Sequence, residues 1–452
     1  MMKTELTSGS VSKNIIRFSL PFLLSYFLQT LYGLADLYII GKYNGVSSTT
    51  SVSIGSQVMH MITVMIVGLA MGSTVVIGKA VGAKQKDRLS RAIGNTVTLF
   101  LAMSIILAIA LLLLVRPIAA VMSTPQEAFD ETVSYLTICF IGVPFITAYN
   151  IISSIFRGLG DSKSPMYFIA IACASNIILD FVFIGYLGFG AAGAALGTTV
   201  SQAISVVISL IFIRLKSSRT KIKSKDLKLH SFTVKEILKI GAPISLQDGF
   251  IQIAFLVITI IANQRGLNDA AAVGVVEKII GILFLVPSSM LSSVSVLCAQ
   301  NNGAGKHERS KLTLRYALIY TIGFGLVAAV SMQFLAESAV GIFTSEPEVI
   351  RLGAQYMRGY AWDCVVAGIH FCFSGYFCAY GLSIVSFIHN CASILLARIP
   401  LAYLASLRFP DTLFPMGIAT TTGSVLSVII CICFYIWMGK HYDNIKLKVK
   451  TD

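Results

Sequence analysis

Twelve apolar runs dominate this chain, starting near residues 18, 52, 92, 132, 165, 191, 237, 271, 314, 350, 383 and 413. Each is on the order of 20 residues, enough for a helix through about 30 Å of hydrocarbon. Inside hydrocarbon every backbone N–H and C=O must find its partner within the protein, which a helix achieves along a single run. The runs therefore predict an all-α polytopic membrane protein with twelve transmembrane helices. Composition agrees: 56% of residues are hydrophobic and 12% are charged, against about 25% charged in soluble domains. The N-terminal stretch MMKTELTSGSVSKN lacks the short apolar core of a signal peptide, so the first span itself is expected to direct insertion.

The formal charge of +14 would suit a nucleic-acid partner if it were concentrated on one face. It is distributed by topology instead. The N-terminus, the even-numbered connections and the C-terminal tail hold 27 of the 35 Lys and Arg, and the odd-numbered connections hold five, Lys42, Arg116, Arg265, Arg351 and Arg408. That asymmetry places both termini in the cytoplasm and removes the case for nucleic acid. The nine cysteines show no metal-ligand spacing and read as small packing residues. No Walker A loop, HExxH motif or Ser/His/Asp constellation points to an enzyme, and His60, His370 and His389 are scattered.

The chain repeats itself at an offset of about 221 residues. KNIIRFSLP (13–21) echoes KEILKIGAP (235–243), AVGAKQKDR (80–88) echoes NNGAGKHER (301–309), STPQEAFDETVSYL (123–136) echoes TSEPEVIRLGAQYM (344–357), and FRGLG (156–160) echoes FCAYG (377–381). Six is an even number of crossings, so a duplicated six-span unit keeps its orientation. The expected organisation is an N-terminal six-helix bundle (1–213), a basic cytoplasmic linker (214–236), a C-terminal six-helix bundle (237–438) and a basic tail (439–452). Two pseudo-symmetric bundles of this kind would enclose a central cleft, an architecture suited to transport.

Asp36 and Asp180 stand out, because the N-terminal spans contain no Lys or Arg to pair with them. Each carboxylate must take a proton, bind a cation or face water. At 1.5 Å per residue, Asp36 lies roughly 27 Å along the first span and Asp180 roughly 22 Å along the fifth, with Thr198 about 10 Å below the outer surface. Tyr135 lies near the outer start of the fourth span. Asn176 is one turn before Asp180, and Tyr32 one turn before Asp36. Carboxylate, amide and hydroxyl oxygens at one level suit a proton network or a small hard cation. The C-terminal spans carry Asp248, Glu277 and Asp363 together with Lys278, Arg358 and Arg398, a set that reads first as structural ion pairs and second as substrate contacts.

With these motifs in view, the chain resembles the MATE (multidrug and toxic compound extrusion) transporters over essentially its full length. The resemblance is carried by FSLPFLLSYFLQTLYGLADLYIIGKYNG, GKAVGAKQKDR with its echo AQNNGAGKHER, FRGLGDSKSP, and NIILDFVFIGYLGFGAAGAALGTTVSQ. LADLYIIG and NIILD look most like the DinF-like branch, whose N-terminal bundle holds a polar network. The matching positions here are Tyr32, Asp36, Tyr135, Asn176, Asp180 and Thr198, and Pro21 matches a proline linked to bending of the first helix. Another branch carries acids on its seventh and tenth helices, where Asp248 and Asp363 lie, although the surrounding residues depart from that pattern. The resemblance implies export of amphipathic, cationic small molecules in exchange for H⁺ or Na⁺, by alternating access in a bacterial plasma membrane. It implies a monomer, no cofactor, and no metal beyond Na⁺. A lipid or lipid-linked precursor flippase of related architecture is the alternative in a different class.

Overall fold

The computed structural model describes residues 6–216 and 224–441. Eleven helices among them are long and apolar enough to cross a membrane: α1 (Val11–Tyr43), α2 (Val46–Gly82), α3 (Lys86–Leu113), α4 (Gln126–Gly158), α5 (Lys163–Tyr186), α6 (Gly190–Leu215), α7 (Ser231–Arg265), α8 (Leu267–Gly303), α9 (His307–Gly341), α11 (Ser383–Arg408) and α12 (Phe414–Lys440). The remaining span is a pair, Pro347–Tyr360 and Asp363–Tyr380, bent by 42° and counted together as α10. All twelve expected spans are present. Several helices begin well before their apolar runs: α1 starts at Val11, where Ser10 Oγ accepts the Lys13 N–H at 3.4 Å. Hydrocarbon thickness sets the length of the apolar run, while a capped helix end continues into water at little cost.

The repeats recur as matched backbone turns. After α2, the N–H groups of Ala83, Lys84 and Gln85 bond back to the carbonyls of Lys79, Val81 and Ala80. After α8, those of Ala304, Gly305 and Lys306 bond to Gln300, Asn302 and Asn301 in the same pattern. Both turns place their middle residue in the left-handed region, Lys84 at φ 57° and Gly305 at φ 70°. The shared motif therefore does specify a shared turn.

The chain divides into two compact units. One comprises Met1–Gly249 with Ser295–Thr313 and Cys378–Gly381. Its core gathers Ile39, Ile40, Val52, Tyr135, Leu136, Phe140, Val143, Ala194 and Ala195 from α1, α2, α4 and α6. Here α2 meets the ends of α7 and α8 backbone to backbone: a Cβ on Gly82 would strike the Gln300 carbonyl, and one on Gly303 would strike the Lys79 carbonyl. Gln300 Nε2 donates to Gly158 O at 2.9 Å. Arg88 places one guanidinium nitrogen 2.9 Å from both carboxylate oxygens of Glu236. At the repeat-related position, Arg309 donates instead to the carbonyls of Gly9 and Ser8, at 3.0 and 3.2 Å.

Of the expected linker 214–236, residues 217–223 lie outside the described residues, as do 442–452 of the tail. The end of the linker is held on α3. Buried Asn95 donates to the carbonyls of Asp226 and Lys228 and accepts from the His230 N–H at 2.6 Å.

The second unit comprises Phe250–Val294, Leu314–Phe377 and Leu382–Asp452. Its core includes Ile258, Val273, Val276, Ile280, Tyr356, Met357, Tyr360 and Met416. Arg265 pairs with Asp269 at 2.9 Å and donates to the carbonyls of Ser406, Phe409, Pro410 and Thr412, fixing the connection between α11 and α12.

Gly82→Ala and Gly303→Ala are each expected to lower stability by about 1–3 kcal/mol through overpacking. Gly281→Ala and Gly323→Ala, where a Cβ meets nothing within 4 Å, should not. Thermal unfolding in detergent reads the difference.

Candidate functional site

Three helices of the first unit converge on Asp36. It projects from α1 and is 6% exposed. Asp180 and Asn176, on α5, are 0% and 1% exposed. Thr198, on α6, donates its hydroxyl to Asp36 Oδ2 at 3.4 Å. Asp180 and Asn176 are also polar neighbours of Asp36. No cation among the described residues acts on either carboxylate. Among the described residues, Asp36 Oδ1, both Asp180 oxygens and both amide atoms of Asn176 are buried without a hydrogen-bond partner.

This arrangement has a chemical consequence. Two ionised carboxylates only accept hydrogen bonds, so they cannot bond to each other. Buried polar atoms left without partners cost roughly 1–3 kcal/mol each, and more when charged. A proton held by one acid, or a small hard cation between them, removes that penalty. The available donors, two carboxylates, one amide oxygen and one hydroxyl, are the oxygen ligands such a cation takes.

Local backbone explains the placement. Regular helix in α5 ends at Asp180 and continues as a π-helical turn, Phe181–Tyr186. Turns of that kind often mark functional positions in helices. Asp180 Oδ1 rests against Gly197 of α6, where any Cβ would overlap it. Tyr135, on α4, is buried with its ring against Gly55 of α2. Tyr135 and half-buried Tyr32 both lie within electrostatic range of Asp36. Of the six residues picked from the sequence, Thr198 and Asp36 share a hydrogen bond, Asp180 and Asn176 are polar neighbours of Asp36, and Tyr32 and Tyr135 lie farther out. Gly197 and Gly55 were not picked, and the small-residue run GAAGAALGTT was the available signal for Gly197. Cys139, read only as packing, is buried beside Tyr135 and near Asp36.

Pro21 lies fifteen residues before Asp36 on α1, about 22 Å away. Its own carbonyl accepts the Ser25 hydroxyl at 2.8 Å. Next to it, the Phe22 ring carries the Arg157 guanidinium at 4.4 Å. Arg157, in the last turn of α4, is buried, with an aromatic face as its partner.

The acids of the C-terminal half do not form the balanced three-and-three set that the sequence suggested. Arg398 reaches Asp363 Oδ2 at 3.6 Å and lies in electrostatic range of Glu277, which accepts from Thr259 at 3.4 Å. Arg358 pairs with Glu337 at 3.0 Å instead, because α10 sets it against α9. Lys278 is exposed. Asp248 falls within the first unit, packed on Gly68 of α2.

Comparison with known proteins gives a consistent result. The family model MatE matches twice, at residues 21–182 and 243–404. The probable multidrug resistance protein YpnP of Bacillus subtilis (strain 168) is 27% identical over 456 residues, covering 99% of each chain. The probable multidrug resistance protein YoeA of the same organism is 25% identical over 366 residues, covering 79% of each. A solved outward-facing MATE family transporter of the MOP superfamily superposes with a TM-score of 0.91 at 22% identity, over 99% of each chain, and so shares the fold.

Because Thr198 bonds directly to Asp36, Thr198→Val and Asp36→Asn should be non-additive by about 0.5–3 kcal/mol in a double-mutant cycle. Thr422→Val, on the exposed face of α12, should add independently to Asp36→Asn. Unfolding in detergent provides the energies.

Proposed function

The chain belongs to the MatE family of membrane transporters, and on that premise we propose that it is a secondary antiporter exporting amphipathic, cationic small molecules in exchange for H⁺ or Na⁺. It is a transporter and not an enzyme. The observation that carries the reading is the Asp36–Asp180 contact, with its buried oxygens left open to a proton or cation. The relatives named for multidrug resistance support drug-like substrates. The polar network on α1, α5 and α6 supports affinity with the DinF-like branch. No comparison favours a lipid flippase.

The cycle follows from linkage. An ion shifts a conformational equilibrium only by its differential affinity for the two states, and a full swing from 1:99 to 99:1 takes about 5.5 kcal/mol. With the ion bound, the two acids stay close and α1 packs against α5 and α6. Without it, the uncompensated carboxylates separate, and α1 changes its packing above Pro21, where a proline leaves one backbone hydrogen bond unmade. Entry of the ion from outside and departure of the substrate then belong to opposite ends of one exchange. The protein works as a monomer in a bacterial plasma membrane with both termini cytoplasmic, and it needs no cofactor besides the coupling ion.

Everted membrane vesicles test this directly. A fluorescent lipophilic cation should accumulate when a proton gradient or a sodium gradient is imposed, and the effective gradient identifies the ion. Asp36→Asn, inserted at an unchanged level, should abolish accumulation. Gradient-driven accumulation by that variant at the parent rate would refute the role given to Asp36.

A further inference from the structure

The duplication supplies a second copy of the Asp36 site, and that copy has no carboxylate and an arginine at its edge. The family model matches the two halves at Pro21–Val182 and Pro243–Leu404, an offset of 222 at both ends, while the matched turns after α2 and α8 sit at an offset of 221. Between these two offsets Asp36 corresponds to Val257 or Ile258, Asp180 to Leu401 or Ala402, and Asn176 to Ala397 or its neighbour Arg398. Ile258 and Ala402 are buried and apolar. α11 also carries a π-helical turn, Ile394–Arg398, but it falls before the position equivalent to Asp180, whereas Phe181–Tyr186 of α5 follows Asp180. Where the first unit offers two carboxylates and an amide, the second offers a guanidinium.

Arg398 is 9% exposed. Its guanidinium lies 5.3 Å from the Phe255 ring centre and 5.6 Å from that of Tyr360, and it donates to Tyr360 Oη at 2.5 Å. The nearest acid, Asp363, comes from a new place, the start of the second segment of α10. Tyr356, Glu277 and His370 also face the guanidinium electrostatically, and Ser424 faces Asp363.

We infer that Arg398 is a built-in counterion, a tethered cation that takes the place of the exchangeable ion, so that Asp363 stays paired and the second unit exchanges no ion of its own. An arginine does not deprotonate within proteins, so its charge persists through any proton gradient. Removing it would leave Asp363 as an uncompensated buried charge. Such a carboxylate would then do what Asp36 and Asp180 are proposed to do, taking up H⁺ or Na⁺. The inference rests on the coupling role given to Asp36, and the experiment separates the two.

Ions bound by the purified protein in detergent would be counted, protons with an indicator dye during acidification and Na⁺ by titration calorimetry. Arg398→Gln should bind one more ion than the parent, and Arg398→Lys none more. The gain should persist in an Asp36→Asn background and disappear when Asp363→Asn is added. Glu277→Gln and Asp363→Asn alone should leave the ion count at the parent value, and they carry the test even if Arg398→Gln does not fold. A folded Arg398→Gln protein without the extra ion would overturn the inference, as would loss of an ion from either single acid variant. Parent-like ion binding by Asp36→Asn would strike the coupling role of Asp36 instead, leaving the Arg398 gain to stand or fall by itself.

Discussion

A carboxylate donates a hydrogen bond only when it holds a proton. Asp36 and Asp180 are buried neighbours, with no cation among the described residues acting on them. Their contact therefore requires something else between them, and the local structure is arranged to let it enter. Thr198 satisfies one oxygen of Asp36, while the remaining carboxylate oxygens and the Asn176 amide stay open. A site meant only to hold helices together would be expected to close these valences, since each open one costs about as much as a good hydrogen bond gains. Ion-dependent closure of the pair is the feature from which the proposed exchange follows.

The framework around the pair is built from close backbone approaches. Gly197 lets the Asp180 carboxylate lie on α6, Gly55 receives the Tyr135 ring, and Gly82 and Gly303 let α2 and α8 touch at their ends. In a membrane, lipid tails are as apolar as side chains, so helix association rests on packing of this kind and on hydrogen bonds. The same duplicated framework serves a different electrostatic purpose in the second unit. There Arg398, braced by Tyr360 and Phe255, supplies internally the positive charge that the first unit must take from outside.

Much of this was legible in the sequence because the bilayer simplifies the code. Apolar run length gave the twelve spans, and an unpaired Asp in such a run is costly enough to be noticed. Helical rise alone put Asp36, Asp180 and Thr198 at one level. Other features were not legible. Helix ends such as Val11 extend into water, where hydropathy carries no signal. The ion pairs of the C-terminal half depend on which helix faces which, so Arg358 could not be assigned to Glu337, nor Asp248 to Gly68, from composition of the spans. The contribution of Gly197 is a missing side chain, visible only once Asp180 is seen resting on it.

Infrared difference spectroscopy of the protonated-carboxyl stretch tests the central claim most directly. Addition of Na⁺ or of a lipophilic cation to the protein should remove a carboxylic-acid band, and the change should be missing in Asp180→Asn. An unchanged carboxyl region in the parent protein, or the same band loss in Asp180→Asn, would contradict an ion-exchanging pair.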